Sequence, residues 1–201
     1  MRALAKAGTL LSVAALLAGC SGDEGAAAAC RIDVASADLQ DQRVAAGVPD
    51  CEPAADANAD LPDLALPCLG SETEMALADL EGPAIVNFWS TTCAPCIDEM
   101  PALEEFHQQY GDQVTILGVN YQDGYPAAAI DLARRSGTTY PSVADACGAL
   151  NETDLAVGAL PIFLFVAEDG TVTQKAGGIE SPADLVVLAE DNGIPLEDPA
   201  P

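Results

Sequence analysis

The chain has 201 residues, enough for one domain with a full core plus appendages. Its 7 basic residues stand against 32 acidic ones, a formal charge of −25. Such a surface repels nucleic acid and anionic headgroups, so a groove-reading or polybasic membrane role is set aside.

The N-terminal stretch reads as targeting. Met1–Lys6 carries Arg2 and Lys6, Ala7–Leu17 is mainly apolar but too short to span a bilayer, and Leu17-Ala18-Gly19-Cys20 closes it. A small residue before Cys resembles a bacterial lipobox. That resemblance implies a lipoprotein signal peptide over 1–19, lipidation of Cys20 and anchoring at the extracytoplasmic face of the bacterial cell membrane. The alternatives are an ordinary cleaved signal peptide or an uncleaved anchor.

Residues 20–60 read as an acidic, Ala-rich tether, low in complexity around the AADANAD run. Helical character between Arg31 and Val48, bounded by Cys30 and Cys51, suggests a disulfide-closed knob. A domain of the remaining pattern follows over 61–192, with a short tail at 193–201. In it Asp63–Leu69 and Thr73–Leu80 read as short strands around the Gly70-Ser71 turn. The apolar run Ala84–Trp89 reads as a buried strand, and a helix with a mainly apolar face at Ile97, Met100, Leu103, Glu104 and Phe106 follows it, with Pro101 inside. Val114–Asn120 is a second buried strand and Ala127–Ser136 a helix. Thr138–Val143 is extended, and Ala144–Leu155 is a loop with weak helix. Ile162–Ala167 and Thr171–Ala176 form a hairpin about Glu168-Asp169-Gly170, and Ser181-Pro182 starts a last helix over Ala183–Asp191. The order predicts an α/β fold: a mixed central sheet flanked by helices on both faces, with an added N-terminal β-hairpin.

The chemistry concentrates at Cys93-Ala94-Pro95-Cys96, where a strand runs into a helix. A helix N-terminus stabilises a thiolate, and Pro95 suits the helix entry because it gives up an amide with no intrahelical partner. Haem attachment would need His after Cys96, where Ile97 stands; a zinc site would need further ligands, and His107 is the only histidine. The motif therefore reads as a redox-active dithiol with no metal and no cofactor. An inert bridge is the alternative. Seven cysteines less Cys20 leave an even six, which suits an oxidising space. With Cys93 and Cys96 set aside, Cys30, Cys51, Cys68 and Cys147 allow three pairings. The preferred pairing is Cys30 with Cys51 and Cys68 with Cys147, on the ground that it leaves the tether free to reach.

VNFW before the site, CAPCIDEMP through it and ALPIFLFVAEDG beyond it carry a resemblance over Leu61–Asp191. They resemble the thioredoxin-fold, membrane-tethered TlpA/ResA-like thiol–disulfide oxidoreductases. The resemblance implies Cys93 as attacking thiolate, Cys96 as resolving thiol and Glu99 as proton carrier, against the plainer reading of Glu99 as a helix-end charge. It implies a cis Pro161 facing the dithiol, with the Leu160 backbone free to pair with an extended substrate. Asn87, Trp89 and Pro95 support the site. Thr92 stands where family members usually carry Trp, and His107 reads as a solvated surface residue. Peroxide chemistry of the peroxiredoxin kind would need Thr and Pro where Ser90 and Val86 stand. By the same resemblance the protein is a monomer that reduces disulfides in exported clients such as apocytochrome c, drawing electrons from a membrane thiol carrier. The alternatives are an oxidant or isomerase of secreted proteins, or a non-catalytic client-binding lipoprotein.

Overall fold

The computed structural model describes residues 32–54, 58, 60–155 and 157–199. Helix α1 (Ala37–Ala46) comes first, followed by two short strands, β1 (Leu66–Pro67) and β2 (Glu74–Met75). Then come β3 (Ala84–Trp89), α2 (Ala94–Tyr110), β4 (Thr115–Tyr121), α3 (Pro126–Ser136) and β5 (Ser142–Asp145). The chain ends with β6 (Ile162–Val166), β7 (Val172–Ala176) and α4 (Pro182–Asp191). The main sheet runs β5-β4-β3-β6-β7, with β3, β4 and β5 parallel and β6 and β7 antiparallel to their neighbours. β1 and β2 form the separate N-terminal hairpin.

Every residue of β3 is buried, as its unbroken apolar run requires of a central strand. Alternate side chains part to the two faces. Ile85 joins Phe106 of α2 and Leu185 of α4, and Trp89 joins Met100 of α2 and Ile130 of α3. Val86 and Phe88 point the other way, to Leu66, Met75, Leu77 and Leu150. Full burial of such side chains stabilises by about 1.5–3 kcal/mol each. The four α-helices of the described residues thus gather on one face of the sheet. The other face carries the hairpin and two 3₁₀ turns, Leu77–Asp79 and Ala149–Glu152, not the α-helices expected there. The reason is handedness: the crossovers β3–α2–β4 and β4–α3–β5 step in the same direction, so right-handed connections place both helices on the same side.

Two strand boundaries also differ from the sequence reading. Beyond Met75 the chain leaves the hairpin for the turn at Leu77–Asp79, where Asp79 Oδ2 accepts the Ala76 N–H at 2.8 Å. The extended stretch near Thr138 becomes a strand only from Ser142, after Pro141, which lacks an N–H to donate.

The lead-in is docked on the core. Val34, Leu39 and Val48 pack with Trp89 and Ile130, α1 ends on Gly47 in the left-handed region (φ 75°), and Arg43 donates to the carbonyls of Gly70 (3.0 Å) and Val48 (2.9 Å). This docking overturns the preferred cysteine pairing. Cys51 is bonded to Cys68, with Cα atoms 5.9 Å apart, and Cys147 is disulfide-bonded without involving Cys68. Once α1 packs on α3, Cys51 is delivered to β1 and buried beside Cys68, so residues 32–51 are docked and do not act as a free tether. Cys20, Cys30 and the segment 1–19 lie outside the described residues. Among the described residues no helix is long and apolar enough to cross a membrane.

Candidate active site

β3 ends at Trp89, and Ser90–Thr92 carry the chain to α2, whose N-cap is Cys93. The cap geometry aims backbone at sulfur: the Cys96 N–H donates to Cys93 Sγ at 3.3 Å. Cys93 and Cys96 are bonded to each other, with Cα atoms 5.3 Å apart. Cys93 is half-buried and Cys96 fully buried, so only the first sulfur is within reach of a partner. Pro95 lies exposed in the first turn, and α2 runs on through Pro101 to Tyr110.

One helical step beyond Cys96, Glu99 faces the sheet and is 1 % exposed. Its Oε1 accepts from Asn87 Nδ2 at 2.8 Å. Oε2 is buried without a well-formed hydrogen bond, although the Ile179 N–H lies near enough to favour the charged form. Burial outweighs both donors and pushes the carboxyl up to about 7. A plain helix-end charge would sit in solvent; this one does not. Glycine at 178 is what admits it, since a Cβ there would stand 2.9 Å from Glu99 Oε2 and 3.4 Å from Pro161 Cγ. The Leu160–Pro161 bond is cis, Pro161 is buried, and Leu160 packs against the cluster that holds Trp89, Cys96 and Cys93. The structure therefore brings Cys93, Cys96, Glu99, Asn87, Leu160 and Pro161 into one neighbourhood.

Asp123 escaped the sequence reading. It is 2 % exposed, and its Oδ2 accepts the Thr91 N–H at 2.6 Å and Asn120 Nδ2 at 3.1 Å, while Oδ1 accepts the Tyr125 N–H at 3.1 Å. The Asp-Gly pair after β4 signals a turn, and the bond to Tyr125 is the local half of it. The reach to Thr91 joins the β4–α3 loop to the link that presents Cys93. His107 is not a solvated surface residue: it is half-buried, its Nδ1 is buried, and its ring stands edge-on to Tyr140 with centroids 5.7 Å apart. Glu104 lies off the apolar face and accepts the Thr139 N–H at 2.7 Å. Trp89 is buried in the packing between α2 and α3. Asp50, Cys51 and Cys68 lie close enough to suggest a metal site, but the two sulfurs are bonded to each other.

The model of the AhpC/TSA family matches residues 57–175. The chain belongs to the AhpC/TSA family. Within reach of it are the thiol-disulfide oxidoreductase ResA of Geobacillus kaustophilus, 36% identical over 116 residues that cover 56% of this chain and 64% of the relative. The thiol:disulfide interchange protein DsbE of Pseudomonas aeruginosa is 36% identical over 103 residues, covering 51% of this chain and 55% of the relative. The chain thus spans less than two thirds of the length of these curated relatives. Among solved structures, a secreted thiol-disulfide isomerase from Corynebacterium glutamicum superposes with a TM-score of 0.56 at 25% identity, over 64% of this chain and 82% of that one. A DsbF homologue from Corynebacterium diphtheriae gives 0.56 at 23% identity, over 65% and 85%, a likeness of fold. The fold of this AhpC/TSA member is thioredoxin-like.

Proposed function

We propose that this chain is an extracytoplasmic thiol–disulfide oxidoreductase that reduces disulfides in exported proteins by exchange at Cys93 and Cys96. The observation that carries the reading is the asymmetry of the pair. A reachable Cys93 sits at a helix N-terminus, bonded to a wholly buried Cys96, with buried Glu99 one turn further on. In the reduced form the Cys93 thiolate attacks a client disulfide, forming a mixed disulfide and releasing one client sulfur as a thiolate. Glu99, poised at about 7, takes the proton from Cys96. The Cys96 thiolate then attacks Cys93 Sγ and displaces the second client sulfur. Two electrons pass to the client, and the Cys93–Cys96 disulfide remains.

Attachment through a lipid on Cys20, a membrane thiol carrier as electron donor, apocytochrome c as a client and a monomeric state belong to the same proposal. The lipid anchor is supported by the lipobox-like Leu17–Cys20, and exchange with disulfide-bearing clients by the names of the relatives. The test has two arms. Cys93→Ser abolishes turnover, whereas Cys96→Ser accumulates mixed disulfides with clients; absence of those adducts in cells rejects the exchange mechanism. The Cys93–Cys96 reduction potential decides direction, with a value near about −270 mV marking a reductant and one near about −120 mV an oxidant.

A further inference from the structure

Three of the stretches near the dithiol are 88–97, 118–130 and 157–167. They contain a single charged residue, Asp123, in a chain with 39 charged residues out of 201. Asp123 is itself buried. Exposed Asp98 of α2 and Glu180 beyond Gly178 lie outside these stretches, so in a strongly acidic protein this side of the rim around the reactive sulfur is uncharged. On that rim stands Tyr125, 65% exposed, the one aromatic among the large hydrophobic side chains exposed in the described residues. Its main chain is fixed to the site: the Tyr125 and Thr91 amides donate to opposite oxygens of the same Asp123 carboxylate, at 3.1 and 2.6 Å. Two donors on one carboxylate lie within about 8 Å of each other, and Thr91 is two residues from Cys93. On the far side of Thr92 a cleft of about 200 Å³ runs between Ser90, Thr92 and Gln122 and the segment Gly158–Leu160. Among the described residues no hydrogen bond engages the Leu160 main chain.

We infer that Tyr125 is a specificity-determining residue of this site, an aromatic platform for an extended client segment whose residues beside the cysteine are uncharged and apolar. The inference rests on the exchange function proposed above. An aromatic held on a rigid turn offers a large contact area at little cost in side-chain entropy. The uncharged side of the rim that carries Tyr125 gives no ion pair to an acidic or basic segment, while the acidic remainder of the surface repels acidic clients at longer range. A strongly basic client is the competing occupant. It would be steered by the net charge, with a rate that falls as salt screens it.

The test uses the reduced full-length chain and three disulfide peptides that differ only in the residues flanking cysteine, being Phe, Lys or Asp. 2-Hydroxyethyl disulfide serves as a small uncharged reference. The Phe peptide is expected to react fastest, with a rate insensitive to salt. Tyr125→Ala is expected to lower the ratio of Phe-peptide to reference kcat/KM about five- to tenfold, chiefly through KM, as for an anchoring aromatic, and Tyr125→Phe to restore it. Either a Lys peptide that is fastest and salt-sensitive, or a ratio unmoved by Tyr125→Ala, overturns the inference. If the wild-type chain exchanges with neither the peptides nor the reference, the exchange function itself fails and this inference falls with it.

Discussion

Asn87 Nδ2 donates to Glu99 Oε1 at 2.8 Å across the interface between the central strand and the helix that carries the dithiol. The donor favours the ionised carboxyl, and the low-dielectric surroundings oppose it; burial wins and holds Glu99 near 7. The two residues lie twelve positions apart, one on β3 and one on α2, so neither motif contains the pair by itself.

Glu99 makes stability depend on pH in a definite window. Its folded value of about 7 stands above the ordinary 4.5, so both states are protonated below 4.5 and the group carries no penalty there. Stability is lost as pH rises through 4.5 to about 7, by about 3 kcal/mol at ~1.4 kcal/mol per pH unit, and the loss is complete above that range. Surface carboxylates titrate too, so the quantity to read is the difference between wild type and Glu99→Gln. Denaturant unfolding of the oxidised proteins should show the variant gaining on wild type between pH 5 and 8. A difference that stays flat across that range removes the buried, proton-binding Glu99.

Asn87→Ala removes the side-chain donor and leaves Glu99 Oε1 unpaired in the same buried space. The charged form loses most, so the Glu99 carboxyl should titrate higher than in wild type. The limb of the exchange pH profile assigned to Glu99 moves to higher pH, and that limb disappears in Glu99→Gln. A profile unchanged by Asn87→Ala would mean that the hydrogen bond has no bearing on the proton step.

Asp123→Ala strips the acceptor from the Thr91 and Tyr125 amides and from Asn120. Leaving such donors unpaired costs about 1–3 kcal/mol each where they stay dry. The variant should therefore be less stable by at least about 2 kcal/mol, and its exchange rate should fall because the link before Cys93 loosens. Asp123→Asn keeps one acceptor oxygen but turns an amine toward an N–H, so it should lie between wild type and Ala. Amide hydrogen exchange at Thr91 separates a local loosening from a global loss of stability.

How much of this was legible in the sequence follows from where each contact lies. Ala84–Trp89 was readable because a fully buried strand is apolar throughout, and the start of α2 because a Cys-x-x-Cys-Pro pattern carries its own helix entry. The helix cap at Ser181 was equally local: its hydroxyl accepts the Asp184 N–H and the Asp184 carboxylate accepts the Ser181 N–H. Asp123 was not readable, because its decisive partner is 32 residues away and no periodicity records a side chain turned toward a distant amide. No local pattern singles out Gly178, because its role is the space it leaves for Glu99 Oε2. The one-sided stacking of α2 and α3 depends on the order of strands in the sheet, which element types alone do not state.

The same limit explains the cysteine pairing, and it yields the last prediction. Spacing made a free tether plausible, but Val34, Leu39 and Val48 are apolar positions around α1 that bury against α3 and bring Cys51 to Cys68. Both sulfur-bearing residues are enclosed, Cys51 at 4% and Cys68 at 1% exposure, whereas Cys93 is half-buried. Thiol attack needs access, so mild reduction should open Cys93–Cys96 well before Cys51–Cys68. Alkylation after graded reduction should label Cys93 first and leave Cys51 and Cys68 joined in a single linked peptide on mapping. The bridge spans 17 positions and stabilises by about 3 kcal/mol in the chain-entropy model, so Cys51→Ala with Cys68→Ala should lose about that much. A Cys30–Cys51 or Cys68–Cys147 peptide in native protein would reject this arrangement, and simultaneous labelling of Cys51 and Cys93 would show that the lead-in is not packed on α3.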